Sequence, residues 1–361
     1  MKTLDRYVFV EFIRMVGIGV LAFVTIFVTL NAVEKVDDFI DNQVPTLAVI
    51  KYYAFQVPYI FTLTLPIAVL ISSLFTVGQM ARRNELVAMR ASGIRFARTI
   101  LPMVLGGLLA SMVSLAVSEF VQPEASAVVR SIETGEIKRS ARNQPRIRTN
   151  LAYRGGNGLF YSAPEYDTRT NTMKDLVVEQ SADGRLVFRV NAARASWQDS
   201  VWMLSDAWVR WFSESGEVER ESYIPEGPLP LLRDFPGDIL KNQKQPEEMS
   251  YRELHGLVER IEESGGDPSK YRVGLAMKIS FPFANLIVIL LGAPLTARLR
   301  KGGLAVGAGI GLGLAFVYYG LMKGGQTLGD HAVLPPLLAA WIGNLVFGVC
   351  GIYLILRAEK R

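Results

Sequence analysis

Long stretches without charge are the strongest pattern in this chain. The hydrocarbon core of a bilayer is about 30 Å thick, so a crossing helix needs roughly 20 apolar residues. A charge at its centre costs about 2.5–3.5 kcal/mol. Six stretches meet that demand: 15–33, 52–81, 99–118, 279–297, 302–322 and 332–356. They predict six spanning helices, three before and three after a more polar block. Ahead of the first span, Leu4, Tyr7, Val8 and Phe12 mix with Asp5, Arg6, Glu11 and Arg14. That mixture predicts a short helix lying in the headgroup region before the chain turns inward. The first span is longer than a signal-peptide core and lacks a small-x-small cleavage site, so it reads as an uncleaved helix.

The middle block changes period. Short alternating runs occur at Gly158–Ser162, Leu176–Glu179, Arg185–Val190 and Ala207–Phe212, with turn signals at Arg154-Gly-Gly-Asn157, Ala182-Asp-Gly184 and Glu214-Ser-Gly216. These predict strands over 147–224, arranged as a β-sandwich or open barrel. Trp197, Trp202, Trp208 and Trp211 fall here, either in an ordinary core or along a groove that holds acyl chains. Pro225, Pro228, Pro230, Pro236 and Pro246 mark an irregular connector. Ser250-Tyr-Arg-Glu253 then has the capping-box pattern and opens a helix ending near Gly265-Gly266. The predicted fold is a membrane α-helical protein with six transmembrane helices and an inserted all-β domain. Its parts are residues 1–118, 119–272 and 273–361, with a short cytoplasmic helix at about 80–93.

Charge orients these elements. The 39 Lys and Arg against 34 Asp and Glu give a net charge of +5. Lys2, Arg6 and Arg14 precede span one; Arg82, Arg83, Arg90, Arg95 and Arg98 follow span two; Arg298, Arg300 and Lys301 follow span four; Arg357, Lys360 and Arg361 end the chain. The alternate loops hold fewer. The positive-inside bias therefore puts both termini in the cytoplasm and the 119–272 insert outside. Nucleic acid is not the expected partner, because no cluster of basic and aromatic residues accompanies the charge. Cys350 is the sole cysteine, and His255 and His331 are far apart, so no intrachain disulfide, metal site or other cofactor is expected.

Function classes narrow in the same way. No charge sits mid-span, which argues against an ion-coupled transporter. No Gly-x4-Gly-Lys-Ser/Thr loop cradles nucleotide phosphates, so any work must come from another subunit. The stretch Arg82-Arg-Asn-Glu-Leu-Val-Ala-Met-Arg-Ala-Ser-Gly93 is the candidate receiver. Glu85 is its only acid, beside Arg90, and Leu86, Val87 and Met89 form an apolar set. Such a helix inserts into a partner's groove, or it is simply a solvated, positively charged turn. In span five, Gly303, Gly307 and Gly311 recur every four residues, with Gly309 and Gly313 between them. They permit close packing within the chain or a smooth face for a partner helix. A membrane-anchored scaffold without transport is the alternative class.

Several stretches together resemble the LptF/LptG permeases of the lipopolysaccharide-export ABC transporter, across nearly the whole chain. They are Leu4-Asp-Arg-Tyr7, Asn84-Glu-Leu-Val-Ala-Met-Arg-Ala-Ser-Gly93, Lys278-Ile-Ser-Phe-Pro-Phe-Ala284, Leu290-Leu-Gly-Ala-Pro-Leu295 and Leu334-Pro-Pro-Leu-Leu-Ala-Ala-Trp341. The opening and the Asn-Glu-Leu form of the loop look closer to the LptG branch. The resemblance implies a periplasmic β-jellyroll and an inner-membrane location. It implies a paired LptF-like permease and a dimer of LptB-like ATPases on the coupling helices. It implies a lipid cavity enclosed by the pair, between the first and fifth spans of the two subunits, and delivery of lipopolysaccharide to an LptC-like and LptA-like bridge. It assigns Glu85 to the acidic position of the coupling helix, with Leu86, Met89 and Arg90 beside it. Lys35 and Lys323 lie at depths suited to lipid phosphates, although Glu34, Asp37 and Asp38 crowd Lys35.

Overall fold

The computed structural model describes residues 3–133, 147–155, 158–182, 185–198, 200–213, 217–232, 236, 245–263, 267–296 and 304–359. The chain divides into two compact units: a helical unit (1–137, 247–251, 272–361) and a β unit (138–246, 252–271). Among the described residues, six helices are long and apolar enough to cross a membrane.

The helical unit starts with α1 (Thr3–Asp41) and α2 (Thr46–Arg82), of 39 and 37 residues. At about 1.5 Å per residue, α1 is roughly 58 Å long and outruns the hydrocarbon core. The chain does not turn after residue 14, so the separate headgroup helix expected from 1–14 does not form. Val8 and Phe12 are instead buried in the bundle core. Gly106 makes this possible, since a Cβ there would lie 2.8 Å from the Phe12 ring. A short helix α3 (Glu85–Ala91) and the longer α4 (Phe96–Ala116) follow. The helical stretch does not stop near residue 118. It passes through a π-helical turn (Val117–Val121) into α5 (Gln122–Ile132). There the Gln122 amide donates to the Val117 carbonyl, five residues back. Pro123 has no N–H for the ordinary ladder, so the wider turn fits this point.

After the β unit, the chain returns through α7 (Ser269–Thr296), α8 (Leu304–Asp330) and α9 (Pro336–Glu359). Lipid gives no hydrophobic drive between helices, so close packing and interhelical hydrogen bonds hold them. Asn344 Nδ2 donates to the Ser280 carbonyl at 2.7 Å and its Oδ1 accepts from Tyr318 at 3.0 Å, joining all three.

The β unit has six antiparallel strands: β1 (Ile147–Arg154), β2 (Leu159–Asp167), β3 (Thr172–Ala182), β4 (Arg185–Gln198), β5 (Val201–Phe212) and β6 (Val218–Pro228). Each pairs with its sequence neighbour in one sheet, so the inserted domain is an up-and-down meander, without a crossover among the described strands. A strand normally returns to the same face every second residue. Here the buried residues step by three in four strands: Ala163 to Tyr166, Met173 to Leu176, Ala192 to Ala195, and Leu204 to Ala207. The skipped positions fall on one line across the sheet. Pairing lapses at Asn150, Pro164, Asp175, Ala193, Asp206 and Pro225. Asp175 and Asp206 take positive φ of 49° and 53° there. This crease flips the alternation of all the central strands together, so both halves turn apolar side chains into one core. Trp202 is fully buried in it, and Trp197 and Trp211 pack against it. Trp208 faces outward against Tyr223, with ring centroids 4.9 Å apart. Three tryptophans therefore belong to an ordinary core. Helix α6 (Tyr251–Glu263) completes the elements, burying Leu254, Leu257, Val258 and Ile261 at helical spacing.

The crease makes a stability prediction. Both Asp206→Val and Asp206→Gly give up the exposed hydrogen bond from the Tyr223 hydroxyl, but Asp206→Val also forces a β-branched residue into left-handed backbone and should cost about 1–2 kcal/mol more than Asp206→Gly. Thermal unfolding of the detergent-solubilised chain, followed by tryptophan fluorescence, measures both.

Candidate functional site

Two places in the helical unit gather chemistry, one at each end of α2. At the Arg82 end, left-handed residues bracket α3: Asn84 at φ 59° and Gly93 at φ 81°. They flank a seven-residue helix whose Leu86 and Met89 join the bundle core. The lone acid of this stretch, Glu85, accepts from the Tyr7 hydroxyl at 3.1 and 3.2 Å on its two oxygens. The Arg83 guanidinium stands 3.9 Å away. Leu86 and Met89 are buried at 7% and 8% exposure, in one cluster with Val8, Phe12, Met80, Phe96 and Ile100. The Met89 sulfur accepts from the Thr99 hydroxyl at 3.9 Å. The Arg90 guanidinium lies over the Phe96 ring and reaches the Ala358 carbonyl of α9 at 3.5 Å. Nearby, Arg98 and Asp5 form an ion pair at 2.8 Å that ties the start of α4 to α1.

All four residues expected to engage a partner also make contacts within the chain's own bundle, Leu86 and Met89 as buried residues and Arg90 as an exposed one. Of the apolar set, only Val87 is exposed, at 48%. Ala88 and Ala91 share the exposed surface with it. The reason is the continuation of α1: Val8 and Phe12 complete a core that Leu86 and Met89 seal from one side. Tyr7 and Asp5 were not singled out for this role by sequence reasoning. Their signal was the Leu4-Asp-Arg-Tyr7 stretch itself, which sits 78 residues from Glu85.

At the other end of α2, Lys35 of α1 meets Glu133, just past α5, with Nζ to Oε1 at 2.5 Å. Lys35 also donates to the Tyr52 hydroxyl at 2.5 Å, and Tyr52 donates to Glu133 at 3.1 Å. An edge-to-face group of Phe39, Tyr52 and Tyr53, with Ile132 of α5, packs beneath this trio. The acids that crowd Lys35 in sequence, Glu34, Asp37 and Asp38, are exposed, and the counterion comes from another helix. Lys323 is exposed on α8 and donates to Gln326 Oε1 at 2.8 Å. Of the span-five glycines, Gly303 lies outside the described residues. Gly311 packs on Ile71 and Leu74 of α2, and Gly307 faces Phe75, whereas Gly309 and Gly313 meet nothing within 4 Å. One glycine row thus serves packing within the chain and the other is open.

The family model for the lipopolysaccharide export system permease LptF/LptG matches residues 6–357. The chain belongs to the LptF/LptG family. It is similar to the lipopolysaccharide export system permease protein LptG of Escherichia coli K12, at 20% identity over 360 residues covering 98% of each chain. The LptG protein of E. coli O6:H1 strain CFT073 matches equally. This LptF/LptG chain is thus a permease subunit of lipopolysaccharide export and a multi-pass inner-membrane protein.

The packing of α3 in this LptF/LptG permease is testable without any partner. Met89→Ala removes a buried side chain and should cost about 2–4 kcal/mol, while Val87→Ala should change stability by less than about 0.5 kcal/mol. Thermal unfolding of the isolated chain in detergent reads the difference.

Proposed function

We propose that this chain is the LptG-like half of a permease pair driven by ATPase subunits bound at α3. Paired with an LptF-like chain, it extracts lipopolysaccharide from the outer leaflet and hands it to a periplasmic bridge of LptC-like and LptA-like proteins. The basic residues Arg6, Arg14, Arg82, Arg83 and Arg357 support an orientation with α3 and both termini in the cytoplasm and the β unit in the periplasm.

The observation that carries this reading is how α3 is held. It touches α1 through Tyr7–Glu85, α4 through Met89–Thr99 and α9 through Arg90–Ala358. A push on its exposed face, Val87, Ala88 and Ala91, passes to the first span without a flexible link. Packed interfaces shift between discrete arrangements rather than deforming smoothly, so a small displacement there moves a whole helix. The first span has a broad apolar face to move: Ile18, Leu21, Leu30 and Val33 are 56–70% exposed. Phe316 and Val317 of α8, with the open Gly309 and Gly313, offer a second such face. Lipid chains or the paired permease fit surfaces of this kind. Lys323, solvated at the far end of α8, suits a lipid phosphate.

Two outcomes follow. Glu85→Lys repels Arg83 and breaks the Tyr7 contact, so ATPase-coupled lipid release should fall at least about tenfold while the chain still inserts. Co-purification of the ATPase and release from proteoliposomes measure this; wild-type release by the variant refutes the lever. A photocrosslinker at Leu21 or Phe316 should capture lipopolysaccharide, and labelling confined to bulk phospholipid refutes the cavity.

A further inference from the structure

Glu133 is the counterion of Lys35. Lys35 is an ammonium with three donors, and its charge is met by a carboxylate that no sequence neighbour supplies, 98 residues away. Both side chains keep 25% of their surface exposed, so the pair is half-sheltered and open on one side. The carboxylate takes the Lys35 and Tyr52 donors on a single oxygen. Tyr53 stacks edge-on against Tyr52 with centroids 5.1 Å apart, and its buried hydroxyl has no partner among the described residues. The cluster therefore has one further hydroxyl donor, Tyr53, beside the Lys35 and Tyr52 donors that the carboxylate takes.

We infer that Glu133 is a resident competitor for Lys35 that admits lipids bearing a phosphomonoester and turns away the phosphodiesters of bulk phospholipid. This rests on the reading of Lys35 as a lipid-facing cation and adds the residue that decides which anion reaches it. The argument is one of exchange. A phosphodiester carries one negative charge, as Glu133 does, so replacing the carboxylate brings no electrostatic gain. It also has to displace a group tethered to the same chain, whose effective concentration is on the order of millimolar. A phosphomonoester carries about −1.5 to −2 charges and three acceptor oxygens. It attracts Lys35 more strongly and has an oxygen to spare for Tyr53. Specificity of this kind comes from a built-in penalty against the wrong ligand as well as from contacts to the right one. In a membrane where phosphodiester lipids are in excess, such a threshold keeps the first span from being occupied by the commonest headgroup.

The test uses the full chain in nanodiscs, with phosphatidic acid or phosphatidylglycerol of identical acyl chains, and counts retained lipid by native mass spectrometry. Wild-type protein should retain phosphatidic acid and little phosphatidylglycerol. Glu133→Gln should raise phosphatidylglycerol retention about five- to tenfold. Lys35→Gln, and the double Lys35→Gln/Glu133→Gln variant, should retain neither. The double variant keeps the site neutral, so it also guards against a folding defect caused by an unpaired lysine. Phosphatidylglycerol retention unchanged by Glu133→Gln overturns the inference. So does an equal gain in the double variant, because the gain then does not pass through Lys35. Capture of lipopolysaccharide at Leu21 or Phe316 is read separately, so a failed competitor and a failed transport reading give different results.

Discussion

Helix α2 lies at the centre of the helical unit because its neighbours give up side chains where they cross it. A Cβ on Gly292 of α7 would come within 2.4 Å of the Ser73 hydroxyl, and one on Gly311 of α8 within 2.8 Å of Leu74. Gly19 of α1 faces Ala68 and Ser72 at 3.4 Å. In lipid, helices attract one another mainly through such close approach and through hydrogen bonds between them. The Tyr319 hydroxyl of α8 adds one, donating to the Leu63 carbonyl in the turn before Pro66. Three helices from both halves of the chain are thereby fixed on one axis, and both chemical clusters lie at its ends.

That arrangement puts the proposed lever and the ion pair on one helix. Helix α1 runs unbroken from the Tyr7–Glu85 contact at one end to the Lys35–Glu133 pair at the other. Under the proposed function, a shift of Glu85 is felt at the Lys35–Glu133 pair through α1, and replacement of Glu133 changes the resistance that α3 meets. Coupling of this kind is reciprocal by thermodynamic necessity.

The six spans were legible in the sequence, because charge spacing is a direct consequence of bilayer thickness. Their ends were not. Residues 3–14 and 119–132 are polar enough to read as surface, yet they continue α1 and the α4 axis by packing Phe12 and Ile132 inward. The presence of an inserted β domain was also legible, but its face pattern was hidden by the crease, where one residue per strand is skipped. Leu86 and Met89 show the limit most clearly. An apolar pair on a short amphipathic helix does not name its neighbours, and Val8 and Phe12, which pack with it in one core, lie more than 70 positions earlier. Glu133 was invisible for a similar reason: nothing local distinguishes a counterion whose lysine is 98 positions earlier.

The π-helical turn at Val117–Val121 sets the azimuth of everything beyond it. One residue corresponds to about 100° of rotation about a helix axis. Deleting a residue there to restore a regular ladder would swing Ile132 out of the aromatic group and carry Glu133 to another side of the helix. Length variation at this one turn is thus a route by which related chains could acquire or discard the acidic gatekeeper without altering any residue that forms it.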